Sequence, residues 1–261
     1  MVKGISINIA RSKSIISQAV YITLNLLLVV AVFGLVVVIN SPVLACVLVV
    51  LSKWRIFAVR PRYWWANLRS NALDLIVGVS FALLIHLSGG DALVAQSILA
   101  VLYAAWLLVL KPSSKSFAVE IQAGVALFLG LTVLVSLTHN LHSAVLVISS
   151  FFIGYIVANH VLSEEGNTNV RFVSFIVGLL LAELSWIAYH WLVAYTVPGT
   201  MLRIPQLAII ATISGFAALS VYRPYRDRGK LKLNDFILPV GFAAVTIFVI
   251  IVFFSKTTTS L

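Results

Sequence analysis

The chain has 261 residues, of which 61% are hydrophobic and 10% charged, and its formal net charge is +10. Soluble domains have about a quarter of their residues charged, so this composition excludes an ordinary soluble fold. The chain contains repeated apolar stretches close to the roughly 20 residues that a helix needs to cross a bilayer. They are apolar at every position, whereas membrane β-strands alternate over about ten residues. The sequence therefore predicts an all-α, multi-pass transmembrane helical bundle.

About nine spans are predicted, and the doubtful pair is the first two. Asn40-Ser41-Pro42 is a turn signal, but the helix after it is purely apolar only from Val43 to Leu51. These first two helices form either two full crossings or a short hairpin. The nine predicted helices cover residues 19–39, 42–58, 72–87, 92–110, 117–137, 143–162, 172–193, 206–222 and 236–255.

The distribution of basic residues favours two crossings in the first pair. Lys and Arg concentrate in short cytoplasmic loops. With two crossings, sixteen of them lie on one side, against Arg203 and Lys256 on the other. With one crossing the division is thirteen against five. We therefore predict a cell-membrane protein with a cytoplasmic N-terminus and its C-terminus outside.

No soluble domain interrupts the predicted spans, so residues 1–261 are predicted to form a single integral membrane domain. It includes a basic interfacial segment at 1–18 and basic cytoplasmic loops at 53–71 and 222–235. Cys46 is the single cysteine, which excludes an internal disulfide.

The stretch KWRIFAVRPRYWWANLRS, residues 53–70, interleaves basic and aromatic side chains without an acid. Such a pattern can bind single-stranded nucleic acid. Here, however, the flanking apolar spans hold the rings at headgroup level, where Trp and Tyr normally concentrate. We therefore predict contact with anionic lipids of the cytoplasmic leaflet and no nucleic-acid partner. The loop at 222–235 repeats this chemistry. The predicted phosphate contacts are Arg55, Arg60, Arg62, Arg69, Arg223, Arg226 and Arg228, and the predicted interfacial aromatics are Trp54, Tyr63, Trp64 and Trp65.

Two short stretches resemble parts of known intramembrane enzymes. Arg60-Pro61-Arg62-Tyr63-Trp64 before a span resembles the start of intramembrane prenyltransferases, over about residues 54–80. That family holds magnesium on aspartate-rich loops, whereas the loop KPSSKS at 111–116 has no acid. Glu164-Glu165 followed by Arg171 resembles the glutamate pair and arginine of CAAX-type proteases, with a longer spacing. Neither pattern indicates a complete catalytic site, and no cofactor is predicted.

Glu183 lies near the middle of the seventh predicted span. An acid at that depth costs about 2.5–3.5 kcal/mol on insertion scales, which makes it a functional candidate. His190 follows seven residues later on the same helical face, and Glu120 is a weaker candidate near a cytoplasmic end. These three residues are the candidates for a proton or transport path. The structural alternative is a protonated Glu183 that bonds a neighbouring helix through Asn25, Gln96 or Ser185.

Several histidines fall at the predicted outer ends of spans. His86, His139, His142 and His190 lie there, and His139 and His142 have the i, i+3 spacing that can present two imidazoles to a metal. A metal or pH-sensing cluster on the outer face is one interpretation, and ordinary interfacial histidines are the other. We predict no definite metal site.

Three functions remain open from the sequence. The first is a small permease or membrane transport component with an intramembrane Glu/His path. The second is a structural or assembly membrane protein whose basic loops bind anionic lipid or a protein partner, including a second copy of the chain. The third is an enzyme acting on a lipid headgroup, which the sequence favours less than the other two functions.

Overall fold

The computed structural model describes residues 2–56, 58–89, 92–164, 169–191 and 193–254, without the side chains of residues 2–15, Arg55 and Glu164. This part of the chain forms a helical bundle, as the composition predicts. Eight of its helices are long and apolar enough to cross a membrane. The helices are α1 (Val2–Val37), α2 (Pro42–Leu51), α3 (Trp64–Leu87), α4 (Leu93–Ala105), α5 (Ser116–Thr138), α6 (Ser143–Glu164), α7 (Val170–His190), α8 (Gln206–Arg228) and α9 (Leu233–Phe254).

Helix α2 is shorter than predicted. Asn40 makes the turn that follows α1 with a positive φ of 54°, a conformation that Asn tolerates better than most residues. Pro42 then occupies the first turn of α2, where its missing N–H costs nothing. The helix ends at Leu51 rather than at 58, and 3₁₀ turns follow at Trp54–Ile56 and Pro61–Tyr63. Ten residues rise only about 15 Å.

The basic loops are more helical than the sequence predicts. Helix α3 begins at Trp64 instead of residue 72, so half of the predicted loop 53–71 belongs to it. Helix α8 continues through Pro224 to Arg228. It ends at Gly229, which has a φ of 65° and donates its N–H to the Tyr225 carbonyl. This left-handed glycine is a common helix stop.

The helix ends form two faces of the bundle. Lys53 after α2 and Lys111 after α4 bind the same carboxylate on α3, and Arg223 of α8 pairs with Glu120 near the start of α5. We call this face the basic end. His86 at the end of α3, His139 after α5 and Arg203 line one cavity at the opposite face. We call that face the histidine end.

The short helix α2 runs antiparallel to α1 between these two ends. Tyr21 of α1 donates its hydroxyl to the Leu107 carbonyl beside the basic end. Val36 and Asn40, which precede α2, line the cavity of the histidine end. Lys53, just after α2, returns to the basic end. The chain therefore passes from the basic end to the histidine end and back before α3. Helices α1 and α2 form an antiparallel pair in which α2 is the short member.

Small residues bring neighbouring helices close together. A Cβ on Gly78 of α3 would lie 2.7 Å from Val49 of α2 and 3.0 Å from the Tyr103 hydroxyl of α4. A Cβ on Gly154 of α6 would lie 3.2 Å from the Cα of Gly178 of α7. Packing through small residues is typical of helices within membranes. These contacts leave no room for a larger side chain at the two crossings.

Two features of the fold have no counterpart in the sequence prediction. The end of α4 widens into a π turn at Trp106–Leu110. The connection between α7 and α8 contains an antiparallel hairpin of β1 (Ala194–Thr196) and β2 (Arg203–Pro205), in which Tyr195 lies opposite Ile204. The amide of Met201, between the strands, donates to the Ser88 carbonyl after α3 at 3.1 Å. The hairpin is therefore docked on the histidine end.

Candidate functional site

A buried carboxylate organises the basic end. Asp74 of α3 is 8% exposed and accepts hydrogen bonds from three side chains. Lys53 and Lys111 share its Oδ2, the latter at 2.7 Å, and the Trp106 indole N–H donates to Oδ1 at 3.0 Å. A buried charge is tolerated only when it is paired and hydrogen-bonded. Asp74 therefore ties together the ends of α2 and α4 on α3.

The two lysines of this cluster have shifted pKa values in opposite directions. Burial is the largest influence on Lys53 and lowers its pKa, because the charge of Asp74 only partly compensates. Lys111 is also partly buried, but the charge of Asp74 and its hydrogen bond outweigh that effect, so its pKa is raised. The same carboxylate therefore pairs with two lysines whose pKa values are shifted in opposite directions.

The π turn supplies carbonyl groups that bond side chains of neighbouring helices. The Lys111 amide bonds the Trp106 carbonyl five residues back, so the usual helical pattern is broken there. Tyr21 bonds the Leu107 carbonyl, and Gln122 of α5 donates its amide to the Leu110 carbonyl. These bonds satisfy backbone groups that the π turn releases. They also fix Trp106 in position against Asp74.

The arginines of the second basic loop are paired with acids. Arg223 pairs with Glu120, Arg226 with the adjacent Asp227, and Arg228 with Asp235 at 2.8 Å. Glu120 is thus placed in an ion pair at the basic end. The three predicted lipid contacts in this loop have carboxylate partners within the chain. This pairing reduces the positive charge that they offer to a membrane surface.

The first basic loop remains largely uncovered. Arg60, Arg62 and the ring of Trp65 are exposed, Trp65 by 69%. The Arg62 guanidinium lies 4.6 Å from the centre of the Tyr63 ring, a cation–π distance. The other predicted aromatics, Trp54 and Trp64, are also exposed, while Arg69 is partly buried. The Arg55 side chain lies outside the described residues.

The structure places Glu183 and His190 on the outside of α7. Both side chains are exposed, and the His190 ring packs 4.7 Å from the ring of Trp186. Neither residue lines the polar cavity at the histidine end or the apolar cavity between α5, α6, α7 and α8, both described below. Of the sequence-predicted partners of Glu183, Gln96 instead bonds the carbonyls of Ile85 and Gly89. A path through Glu183 and His190 stays a prediction.

A polar cavity lies at the histidine end. Its volume is about 1050 Å³, and it is partly open. Helices α1, α3, α4 and α5 supply its walls, and the β-hairpin supplies the remainder. The polar residues of its lining are Asn40, His86, Gln96, Ser136, His139, Thr196, Thr200 and Arg203.

The charged and titratable residues in the described lining of this cavity are basic. Arg203 lies at the start of β2, His86 in the last turn of α3, and His139 caps α5. The described part of the chain provides no hydrogen-bond or ion-pair partner for the side chains of Arg203 and His86. His139 uses Nδ1 toward the Ser136 carbonyl at 2.9 Å, which leaves Nε2 for another partner. Asp91 lies outside the described residues.

Gln96 adds a buried polar group to the wall of the cavity. Its side chain is 3% exposed, and its amide nitrogen bonds the Ile85 and Gly89 carbonyls at 3.1 and 2.9 Å. Its Oε1 has no hydrogen-bond partner in the described structure. Buried polar atoms are rarely left in that state. This atom is itself buried, and other buried side-chain atoms of the described residues are in the same state, so it does not by itself mark a binding site.

Only two of the four histidines that were predicted at the outer ends of spans line a common cavity. His86 and His139 line the same cavity, whereas His142 and His190 are exposed and absent from its described lining. No group of three or more His, Cys, Asp and Glu within metal-binding reach occurs in the described ranges. The arrangement of His86 and His139 with Arg203 is one that binds anions rather than cations.

A second cavity lies between α5, α6, α7 and α8. It measures about 390 Å³ and is lined almost entirely by apolar and small residues, including Gly124, Gly154 and Gly215. Val177 and Leu180 of its wall are exposed on α7, so it opens sideways at the depth of the spans. Glu120 and Tyr222 line its edge at the basic end.

Comparison with known proteins assigns no relative to the chain: no family model, no curated protein and no solved structure matches it.

Proposed function

We propose that the protein is a small permease or transport component of the cell membrane, and that the cavity at the histidine end is where its solute binds. The observation that supports this function is the polar cavity of about 1050 Å³ in an otherwise apolar chain. Ligand sites are typically concave, with a few polar groups that fix orientation. We propose that the solute contacts His86, His139 and Arg203, and not the residues Glu183 and His190 that the sequence suggested.

We further propose that the histidine end faces outward. The distribution of basic residues supports this orientation, because sixteen of eighteen Lys and Arg fall on the other side when α1 and α2 both cross. In this orientation the exposed Arg60 and Arg62 lie at the cytoplasmic leaflet, where each basic residue near anionic lipid contributes about 1 kcal/mol. The paired Arg223, Arg226 and Arg228 contribute less.

Single cysteines test the orientation and the accessibility of the cavity. Cys46 is the single native cysteine, so Cys46→Ser gives a background without thiols. In that background we expect Thr200→Cys, in the cavity, to react with a membrane-impermeant maleimide on intact cells. The exposed Trp65→Cys should react only after permeabilisation, and the fully buried Ala126→Cys should serve as the unreactive control. The reverse labelling of the first two would overturn the orientation.

Solute entry tests transport itself. Liposomes that contain the Cys46→Ser protein, with or without Thr200→Cys, are placed in a panel of small neutral, cationic and anionic solutes, and swelling is followed by light scattering. We expect faster swelling of the Cys46→Ser liposomes with at least one solute than of empty liposomes, and a bulky thiol reagent should block swelling only when Thr200→Cys is present. The same reagent on Trp65→Cys should leave swelling unchanged. Swelling no faster than in empty liposomes for the whole panel would favour the structural or assembly role.

A further inference from the structure

We propose that the cavity at the histidine end binds a small oxyanion, such as a phosphate or sulfate group, and binds it more tightly at acidic pH. This inference names the class of solute for the proposed function and relies on it for access to the cavity. It rests on what the cavity contains, namely a guanidinium, two imidazoles and polar groups without a carboxylate in the described lining.

Arg203 is the centre of the proposed site. It is partly buried, and the described residues offer it no acid, in contrast to the arginines of α8. A partly buried cation that has no acid partner among the described residues gains a partner of opposite charge when an oxyanion binds. The planar guanidinium matches an oxyanion with two parallel hydrogen bonds. The strand β2 holds Arg203 opposite Thr196, so the backbone position of this cation is fixed.

His86 and His139 provide the pH dependence. Imidazole is the side chain that gains a proton between about pH 5 and 8. The charged or titratable groups that face these histidines, among the described lining residues on α1, α3, α4, α5 and the hairpin, are the two histidines themselves and Arg203. Each proton taken up adds positive charge to the same cavity. Protonation and anion binding therefore favour each other, as linkage requires.

The remaining groups suit a polar ligand of this size. Asn40 and Thr200 line the cavity with side chains that can donate hydrogen bonds. The docked hairpin carries both Thr200 and Arg203, so an oxyanion bound to Arg203 would lie between the hairpin and α3.

Sulfate is the probe for the test, because it keeps its charge across the pH range in which histidine titrates. Binding of radiolabelled sulfate to the full-length protein in detergent is measured by equilibrium dialysis at pH 6 and pH 8. We expect saturable binding that is tighter at pH 6. Arg203→Gln should weaken it by about tenfold or more, the effect of losing a hydrogen bond to a charged group. The matched control is Arg62→Gln, an exposed arginine of the basic end, which should bind as the native protein does.

The double variant His86→Gln/His139→Gln distinguishes the contribution of the histidines to sulfate binding from that of Arg203. It should still bind sulfate at pH 8 and lose the gain at pH 6. A second arm adds phosphatidic acid in nanodiscs. Displacement of sulfate by this lipid assigns the anion to a headgroup, and displacement by inorganic phosphate alone assigns it to a free solute. The proposal is overturned if sulfate does not bind saturably, or if Arg203→Gln and Arg62→Gln behave alike.

Failure of this inference differs from failure of the proposed function. If Cys46→Ser liposomes swell in a neutral or cationic solute while sulfate does not bind, the proposed permease is supported and the anion specificity is overturned. If sulfate binds at Arg203 but no solute causes swelling, the cavity is an anion-binding site in a protein that does not transport.

Discussion

The two ends of the bundle differ in whether their charged side chains are paired within the chain. At the basic end, Lys53 and Lys111 share the Asp74 carboxylate, and Arg223 pairs with Glu120. At the histidine end, Arg203 lines an open cavity without an acid among the described residues. Charges that satisfy one another hold helices together. A charge that the described fold leaves unsatisfied is available to a ligand.

Replacing Asp74 should produce the largest effect at the basic end. Asp74→Asn removes the negative charge and leaves two lysines facing each other in a largely buried position. Breaking a buried ion pair by removing one partner costs about 3–5 kcal/mol. We therefore expect a loss of that size in the free energy of unfolding, measured by thermal or denaturant unfolding in detergent.

The control for this change is Asp227→Asn. Asp227 is 61% exposed and pairs only with its neighbour Arg226, so its loss should cost less than about 1 kcal/mol. Adding Lys111→Met to Asp74→Asn should recover part of the stability. Equal losses for the two single variants would show that Asp74 does not organise this end.

Gly89 tests whether the hairpin must stay docked for the cavity to form. Its φ is +90°, and a Cβ there would lie 3.2 Å from the Met201 side chain. Gly89→Ala should therefore cost about 1–3 kcal/mol and weaken sulfate binding, since Met201 lies in the hairpin that carries Arg203. Gly34→Ala, with no atom within 4 Å of its Cβ, should preserve both. Unchanged binding in Gly89→Ala would separate the cavity from the docking of the hairpin.

The bundle was predictable because hydrophobic length alone determines which segments can span a membrane. The clustering of basic residues also predicted the basic end as a single face. Asp74 was missed because the predicted third helix began at residue 72, which placed this acid at the membrane surface instead of inside the bundle. The signal was present, since Lys53 follows the apolar part of the second predicted helix, and Lys111 follows the fourth predicted helix at the same end.

The cavity was only half predictable. His86 and His139 were recognised as outer histidines, but their meeting with Arg203 depends on how residues 193–205 fold back over α3. That hairpin has only three residues in each strand, which is too short to show a strand pattern in the sequence. Glu183 was a candidate because it lies near the middle of a predicted span. Its position along the helix does not reveal which face of that helix packs inward.

The lysines of the basic end should differ from each other. Lys111 has a raised pKa, so its stabilising contribution is full below its ordinary pKa of 10.5 and is lost as pH rises through the higher folded value. Lys53 has a lowered pKa, so its charged form costs stability at neutral pH; that cost is full below the lowered folded value and fades as pH rises from there to the ordinary pKa of 10.5. At pH 7 we expect Lys111→Met to lower the free energy of unfolding more than Lys53→Met does. Unfolding in detergent measures both, and an equal or reversed order would contradict the opposite directions of the two pKa shifts.

Arg203→Gln should have the smallest effect on stability and thereby sharpen the contrast between the ends. Without anion, its free energy of unfolding should stay within about 0.5 kcal/mol of the native protein, because no ion pair in the described structure is lost. Sulfate at a hundred times the native Kd should raise the stability of the native protein by about 2.7 kcal/mol, and that of a variant with tenfold weaker binding by only about 1.4 kcal/mol. A large loss without anion would mean that Arg203 holds the fold together, as Asp74 does. The difference between the ends lies in this response, because a structural charge stabilises the protein alone and a binding charge stabilises it only when the ligand is present.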